Sequence, residues 1–275
     1  YRFFRNAGIE ITCQPAQWRD ALAVADQELR RALEHGFQQP ELREVVAGYV
    51  NSLEQAVRTA PTRRSGGLAS AIVSSLADRE VFTSPADDLA LLRPALEQVT
   101  VDDCLAAFRE LWEVSHRYVT VFGNATIAGD AVAAITDCYD ASRAVAVAAP
   151  ATIADAAFAY TDFGPSGTVI ERRHIDDLDV TLVTFANGVR LNLKRTDFEA
   201  GRIRQSVRIG AGQLTEPTDR PGLAFFASNT FTAGGLGRHS TDDLRRILAG
   251  KNVGAGFSVG SDAFTLGGQT TPEDL

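Results

Sequence analysis

The chain has 275 residues, 45 % of them hydrophobic, and a net charge of -8, which fits two globular domains able to bury roughly 70 to 75 % of their unfolded surface. The acidic balance excludes nucleic acid and anionic membrane as partners, because both are bound through excess Lys and Arg. No apolar run approaches the ~20 residues of a membrane span and no signal peptide is visible, so periplasm and cytoplasm both fit.

Residues 1 to about 14 read as one strand: Arg2-Phe3-Phe4-Arg5 is strand-like, and Gly8-Ile9-Glu10-Ile11-Thr12-Cys13 alternates apolar and polar residues. Pro15 opens a helix whose apolar positions Trp18, Leu22, Ala25, Leu29 and Leu33 recur every three or four residues, with Gly36 as its stop. Pro40 and Glu41 open the next, with Leu42, Val46, Tyr49, Leu53 and Val57 on one face. Further helices are predicted over about 66–79 and 86–97, and a capping box at Thr100-Val101-Asp102-Asp103 leads into Leu105, Phe108, Leu111 and Trp112. Residues 117–124 make a compact buried-strand candidate, and a helix over about 128–146 closes the region.

From Ala146 to about Gly167 no apolar periodicity is sustained, which reads as an interdomain linker. Beyond it, strands Val180 to Phe185 and Val189 to Leu193 flank Asn187-Gly188, a strong hairpin signal. A strand from Arg202 to Ile209 sets Arg202, Arg204 and Arg208 on one face; they suit either an anionic ligand or, as favoured here, a solvated sheet face. An apolar helix entry follows at Pro221 to Phe231, then a helix capped by Ser240-Thr241-Asp242-Asp243 and ended by Gly250, then a hairpin of Val253 to Val259 and Phe264 to Gly268. Thr271-Pro272-Glu273-Asp274 has the form of one more helix start, and with the abrupt first residues it points to a piece of a longer protein.

Few residues offer chemistry. Cys13, Cys104 and Cys138 are widely spaced and read as buried free thiols. His35 ends Arg31-Ala32-Leu33-Glu34-His35, one histidine short of an inverted zinc motif, at a helix C-terminus where histidine is favoured for its charge. His116, His174 and His239 lack metal-ligand spacing. Gly256-Phe257-Ser258-Val259-Gly260 matches the nucleophile elbow of serine hydrolases, but Ser258 falls in a hairpin pattern and no histidine follows position 239. Gly234-Gly235-Leu236-Gly237 lacks the Lys-Ser/Thr of a phosphate loop.

The stretch Pro221-Gly222-Leu223-Ala224-Phe225-Phe226-Ala227-Ser228-Asn229, together with Phe185-Ala186-Asn187-Gly188-Val189-Arg190-Leu191 and Leu248-Ala249-Gly250-Lys251, resembles the insulinase/pitrilysin family of zinc metallopeptidases. Glu28 to Phe37 followed by Pro40-Glu41-Leu42 is similar to a second-domain segment of the same family. In that family H-x-x-E-H stands on the helix that follows the Gly-Leu-Ala lead-in, and the matching positions here are Phe225, Ser228 and Asn229. Phenylalanine offers no lone pair, serine cannot act as a base without a partner, and an asparagine amide is a poor zinc ligand.

The resemblance implies an α+β fold of two homologous units, each a mostly antiparallel sheet with helices packed on it. Residues 1–146 would be the latter part of a non-catalytic second domain, 147–167 a hinge, and 168–275 the first part of a degenerate third domain. The parent would be a zinc peptidase enclosing peptides in a clamshell, with zinc, its ligands and the glutamate base upstream. This chain would hold no zinc and no catalytic residue, and its partners would be the upstream catalytic domain, a downstream domain and the peptide. The alternative is a non-catalytic core-type relative serving in assembly.

Overall fold

The computed structural model describes residues 6–113, 116–153 and 157–275. The helical part comprises α1 (Trp18–His35), α2 (Gln39–Thr59), α3 (Ser65–Asp78), α4 (Pro85–Gln98), α5 (Val101–Trp112) and α6 (Ala131–Arg143). Their ends follow local chemistry. Gly36, at φ +70°, donates its N–H to Ala32 and stops α1. Thr100 and Asp103 form the reciprocal capping box of α5, and the Asp130 carboxylate accepts the first free N–H groups of α6.

The strands are β1 (Val169–Ile175), β2 (Val180–Phe185), β3 (Arg190–Leu193), β4 (Ile203–Ile209), β5 (Gly254–Val259) and β6 (Phe264–Thr270), with α7 (Leu223–Thr230) and α8 (Thr241–Ile247) between β4 and β5. They form two antiparallel sheets, ordered β1-β2-β3 and β4-β6-β5. The architecture is therefore α+β, as expected. Asn187-Gly188 makes the predicted turn, with Gly188 at φ +85° and the Asn187 side chain accepting the Val189 N–H.

By internal contacts the chain divides into a first unit of Tyr1–Arg43 and Ala95–Asp155 and a second of Glu44–Pro94 and Ala156–Leu275. This division passes through α2 and α4, and so differs from the two units 1–146 and 168–275 expected from the sequence.

In the first unit α6 packs on α1 through a buried polar tie. Asp26 accepts from Arg30 at 3.1 Å and from the Ser142 hydroxyl at 2.9 Å, while Arg30 also donates to the Ser142 and Val145 carbonyls at the end of α6. Phe108 joins α5 to the turn after α1 by an edge contact with Phe37. Two sequence expectations fail here. Residues 6–14 and 116–124 form no strand, and Tyr118 and Phe122 are 91 % and 79 % exposed. Alternation favours an extended backbone, but a strand also needs a ladder partner, and none is present among the described residues of this unit; positions 1–5 lie outside the described residues. The cysteines are not fully buried either: Cys13 is exposed, and Cys104 and Cys138 are half-buried.

In the second unit the segments on either side of the β5–β6 hairpin are tied back to α2, by Arg58 to Glu273 after β6 and by a paired amide contact of Asn51 with Asn252 before β5. Residues 271–275 form a turn, not a helix. Asp274 accepts the Asn252 backbone N–H at 2.8 Å and pairs with Lys251 at 3.0 Å. These partners, the Asn252 N–H foremost, lower its carboxyl to about 2. A depressed carboxyl stabilises the fold above its unfolded value and loses that contribution as pH falls through the folded one. The second unit is therefore expected to lose about 2 kcal/mol between about pH 4 and about pH 2. Asp274→Asn should abolish that step, and the Asn252 amide resonance should report its midpoint.

The accessible surface is 20465 Å², against roughly 11,500 Å² for a monomer of this mass. The chain thus buries only about half of its unfolded surface, less than its length suggests. Val189 just before β3, Leu191 and Leu193 of the first sheet and Val207 and Ile209 of the second are all exposed.

Candidate functional site: the α7 helix

Gly222, at φ +91°, turns the chain into α7, and the Glu216 carboxylate caps the helix by accepting the Ala224 N–H at 2.9 Å. Ala224 is the buried residue of α7, and Phe231, just past its end, stacks on Phe257 of β5 with ring centroids 4.2 Å apart. The Ser228 hydroxyl accepts the Val259 N–H at 3.1 Å, stitching the helix to the end of β5. Asn229 donates its side-chain amide to the Phe225 carbonyl at 2.8 Å, one turn back on the same helix.

The three motif positions therefore do structural work or none. Ser228 is committed to β5, Asn229 to its own helix, and Phe225 is 76 % exposed. An apolar residue in the place of a ligand is expected to fill that ligand's space against the sheet, and Phe225 does not. With Leu223, Ala224, Phe225, Phe226 and Ala227 all apolar, the sequence marks no single inward face, and the helix turns Ala224 and Ser228 to the sheet instead. Phe225→Ala is accordingly expected to cost less than about 1 kcal/mol in a denaturant titration.

These residues do not fit zinc, which needs imidazole, carboxylate or thiolate donors converging on one point. No group of three His, Cys, Asp or Glu that could hold a metal occurs among the described residues. His35 contacts the Val147 carbonyl at 3.1 Å, His116 is exposed, and His174 lies 3.5 Å from Asp179 on the surface. His239 is buried, and its Nε2 accepts the Ala159 N–H at 2.9 Å.

The rival sites fall to geometry. Ser258 sits inside β5 opposite Thr265, with no sharp strand-to-helix turn, so the serine hydrolase reading is excluded. Arg204 and Arg208 are held by Glu199 and Asp262, and Arg202 lies 3.4 Å from Glu199, so this is a charge-paired sheet face. Gly235 and Gly237 serve a tight loop bridged between Leu236 and His239. A cavity of about 180 Å³ in the second unit is lined by Gln55, Thr59, Arg202, Asn252, Gln269 and Thr271 among others, and none of 225, 228 and 229 reaches it.

Sequence reasoning missed Glu216 as the cap of α7 and the Asp26–Ser142 tie. The second had a partial signal in the Asp26/Arg30 spacing of four, which places both on one helix face.

Fold and site together define an α+β chain of two antiparallel sheets with helices, in which the α7 positions Phe225, Ser228 and Asn229 offer no zinc ligand. No protein-family model matches the chain. The probable zinc protease PqqL of Escherichia coli (strain K12) is 22 % identical over 256 residues, covering 91 % of this chain and 27 % of that protein. Among solved structures, the periplasmic protease PqqL from Escherichia coli is similar at 21 % identity, over 93 % of this chain and 28 % of that one, with a TM-score of 0.43. A variant of the ferredoxin protease FusC in complex with Arabidopsis ferredoxin is similar at 16 % identity, over 94 % of this chain and 29 % of that one, with a TM-score of 0.49. The sequence match agrees with the resemblance carried by the α7 region, and the chain is a relative of the insulinase/pitrilysin-type zinc metallopeptidases. It spans little more than a quarter of the length of the relatives it matches. No helix among the described residues is long and apolar enough to cross a membrane.

Proposed function

We propose that the chain is a non-catalytic portion of a zinc-dependent metalloendopeptidase that encloses peptides between two halves. Residues 1–146 are the latter part of its second domain, 147–167 the hinge, and 168–275 the first part of a degenerate third domain. Zinc, its ligands and the glutamate base belong to the upstream catalytic domain, and this chain supplies wall and hinge.

The observation that carries the reading is α7, where the positions matching H-x-x-E-H hold an exposed phenyl ring, a hydroxyl bonded to β5 and an amide bonded to its own helix. The uncovered apolar sheet faces support it further, because they suit contact with other domains. The linker is also tied down: its early part is bonded to Arg31, His35 and Gln38 in the first unit.

The test is elemental analysis of the purified chain with a peptide-cleavage assay. The expected result is less than about 0.1 zinc per chain and no cleavage, since a hydrolytic zinc needs three protein donors. Stoichiometric zinc lost on Ser228→Ala or Asn229→Ala would overturn the reading. So would an upstream sequence lacking H-x-x-E-H, which would favour the assembly relative instead.

A further inference from the structure

The later part of the linker is held by a cluster of named contacts in the second unit. The Ala159 N–H donates to His239 Nε2 at 2.9 Å. The Tyr160 hydroxyl donates to the Leu236 carbonyl at 2.7 Å and accepts the Arg238 N–H at 2.9 Å. Phe158 stacks on the His239 ring at 5.6 Å, and Tyr160 meets it edge-on at 5.9 Å. The loop that receives this strap is shaped for it: Gly237 is at φ +51°, and a Cβ there would lie 2.6 Å from the Tyr160 hydroxyl.

One of these bonds depends on protonation state. An imidazole nitrogen accepts a hydrogen bond only while it carries no proton, and His239, 7 % exposed, uses Nε2 to accept from a backbone N–H. A proton added at Nε2 would set donor against donor and add charge to a site packed between Phe158 and Tyr160. The charged groups nearest to it along the chain are Arg238, whose guanidinium lies over the Tyr160 ring, and Asp242 and Asp243 at the start of α8. Asp243 is already committed to Ser240 and Arg246 and Asp242 lies near Arg245, so neither carboxylate is free to pair with an imidazolium.

We infer that His239 is an acid-sensitive clasp: neutral, it holds the strap at Ala159; protonated, it lets the strap go. The switch itself needs only this chain, while its effect on the parent's opening rests on reading 147–167 as a hinge.

Amide exchange of residues 157–163, corrected for the intrinsic pH dependence of exchange, tests the clasp on the purified chain. On lowering the pH from about 8 to about 4, protection of the Ala159 N–H should fall about three- to ten-fold, the equivalent of one hydrogen bond. His239→Gln, whose amide oxygen accepts without titrating, should keep protection at both pH values. His239→Phe should lose it at both, and Tyr160→Phe should lower protection while keeping the pH dependence. Equal protection of the wild type at both pH values, or the same fall in His239→Gln, would overturn the proposal. A pH-dependent clasp with stoichiometric zinc at α7 would uphold the clasp and sink the peptidase-portion reading, so the two fail separately.

Discussion

Gly212→Ala is expected to destabilise the second unit by roughly 3 to 5 kcal/mol, a large effect for a single methyl. Gly212 sits at φ +55°, and a Cβ there would meet the Gly260 carbonyl at 2.3 Å and the Ala263 N–H at 2.5 Å. Both are backbone atoms of the β5–β6 turn, so no side-chain rotation relieves the contact. The same close approach lets the Gln213 N–H bond Gly260 at 2.9 Å and pin the turn against the segment after β4. Gly188→Ala is the control: its φ is +85° but nothing lies within 4 Å of the added carbon, so only the backbone term of about 1 to 2 kcal/mol applies. Urea unfolding followed by far-UV circular dichroism should separate the two variants, and equal losses would show that packing at Gly212 is looser than described.

Asp26→Ala should cost the first unit about 3 kcal/mol, because it strips the partner from a largely buried cation and leaves the Ser142 hydroxyl only its longer contact with the Ala23 carbonyl at 3.3 Å. The Asp26 carboxylate is 1 % exposed and the Arg30 side chain 14 %. The loss spreads further than one pair, since Arg30 is also the group that caps the last carbonyls of α6. Asp26→Asn keeps an acceptor for Ser142 and should cost about half as much. Both tryptophans, Trp18 and Trp112, belong to the first unit, so their fluorescence follows its unfolding selectively. A loss below about 1 kcal/mol for Asp26→Ala would mean that the tie contributes little to holding α6 on α1.

What was legible in the sequence was local. Thr100 with Asp103 and Ser240 with Asp243 announce their helices because a capping box is complete within four residues, and Asn187-Gly188 announces its hairpin because the turn type demands that chemistry. The segments 6–14 and 117–124 show the limit, since alternation describes one strand while a ladder is a property of two. Phe225 shows another: an all-apolar helix start carries no phase, so which side meets the sheet is decided by Ser228 and Val259, 31 residues apart. The Asp26–Ser142 tie closes over 116 residues, beyond the reach of any pattern read along the chain. At the candidate site the residue types of Phe225, Ser228 and Asn229 were legible, but their partners were not: Ser228 accepts from Val259 and Asn229 donates to the Phe225 carbonyl.

The uncovered sheet faces carry one more consequence, for handling the molecule. Leu191 and Leu193 on β3 and Val207 and Ile209 on β4 are apolar and exposed on strands at the margins of their sheets. Such margins offer free backbone donors and acceptors beside greasy surface, the combination that lets one copy add its strand to another. At high concentration the chain should therefore tend toward open-ended aggregates, a hazard that its net charge of -8 opposes by mutual repulsion and that added salt, by screening that charge, would bring out.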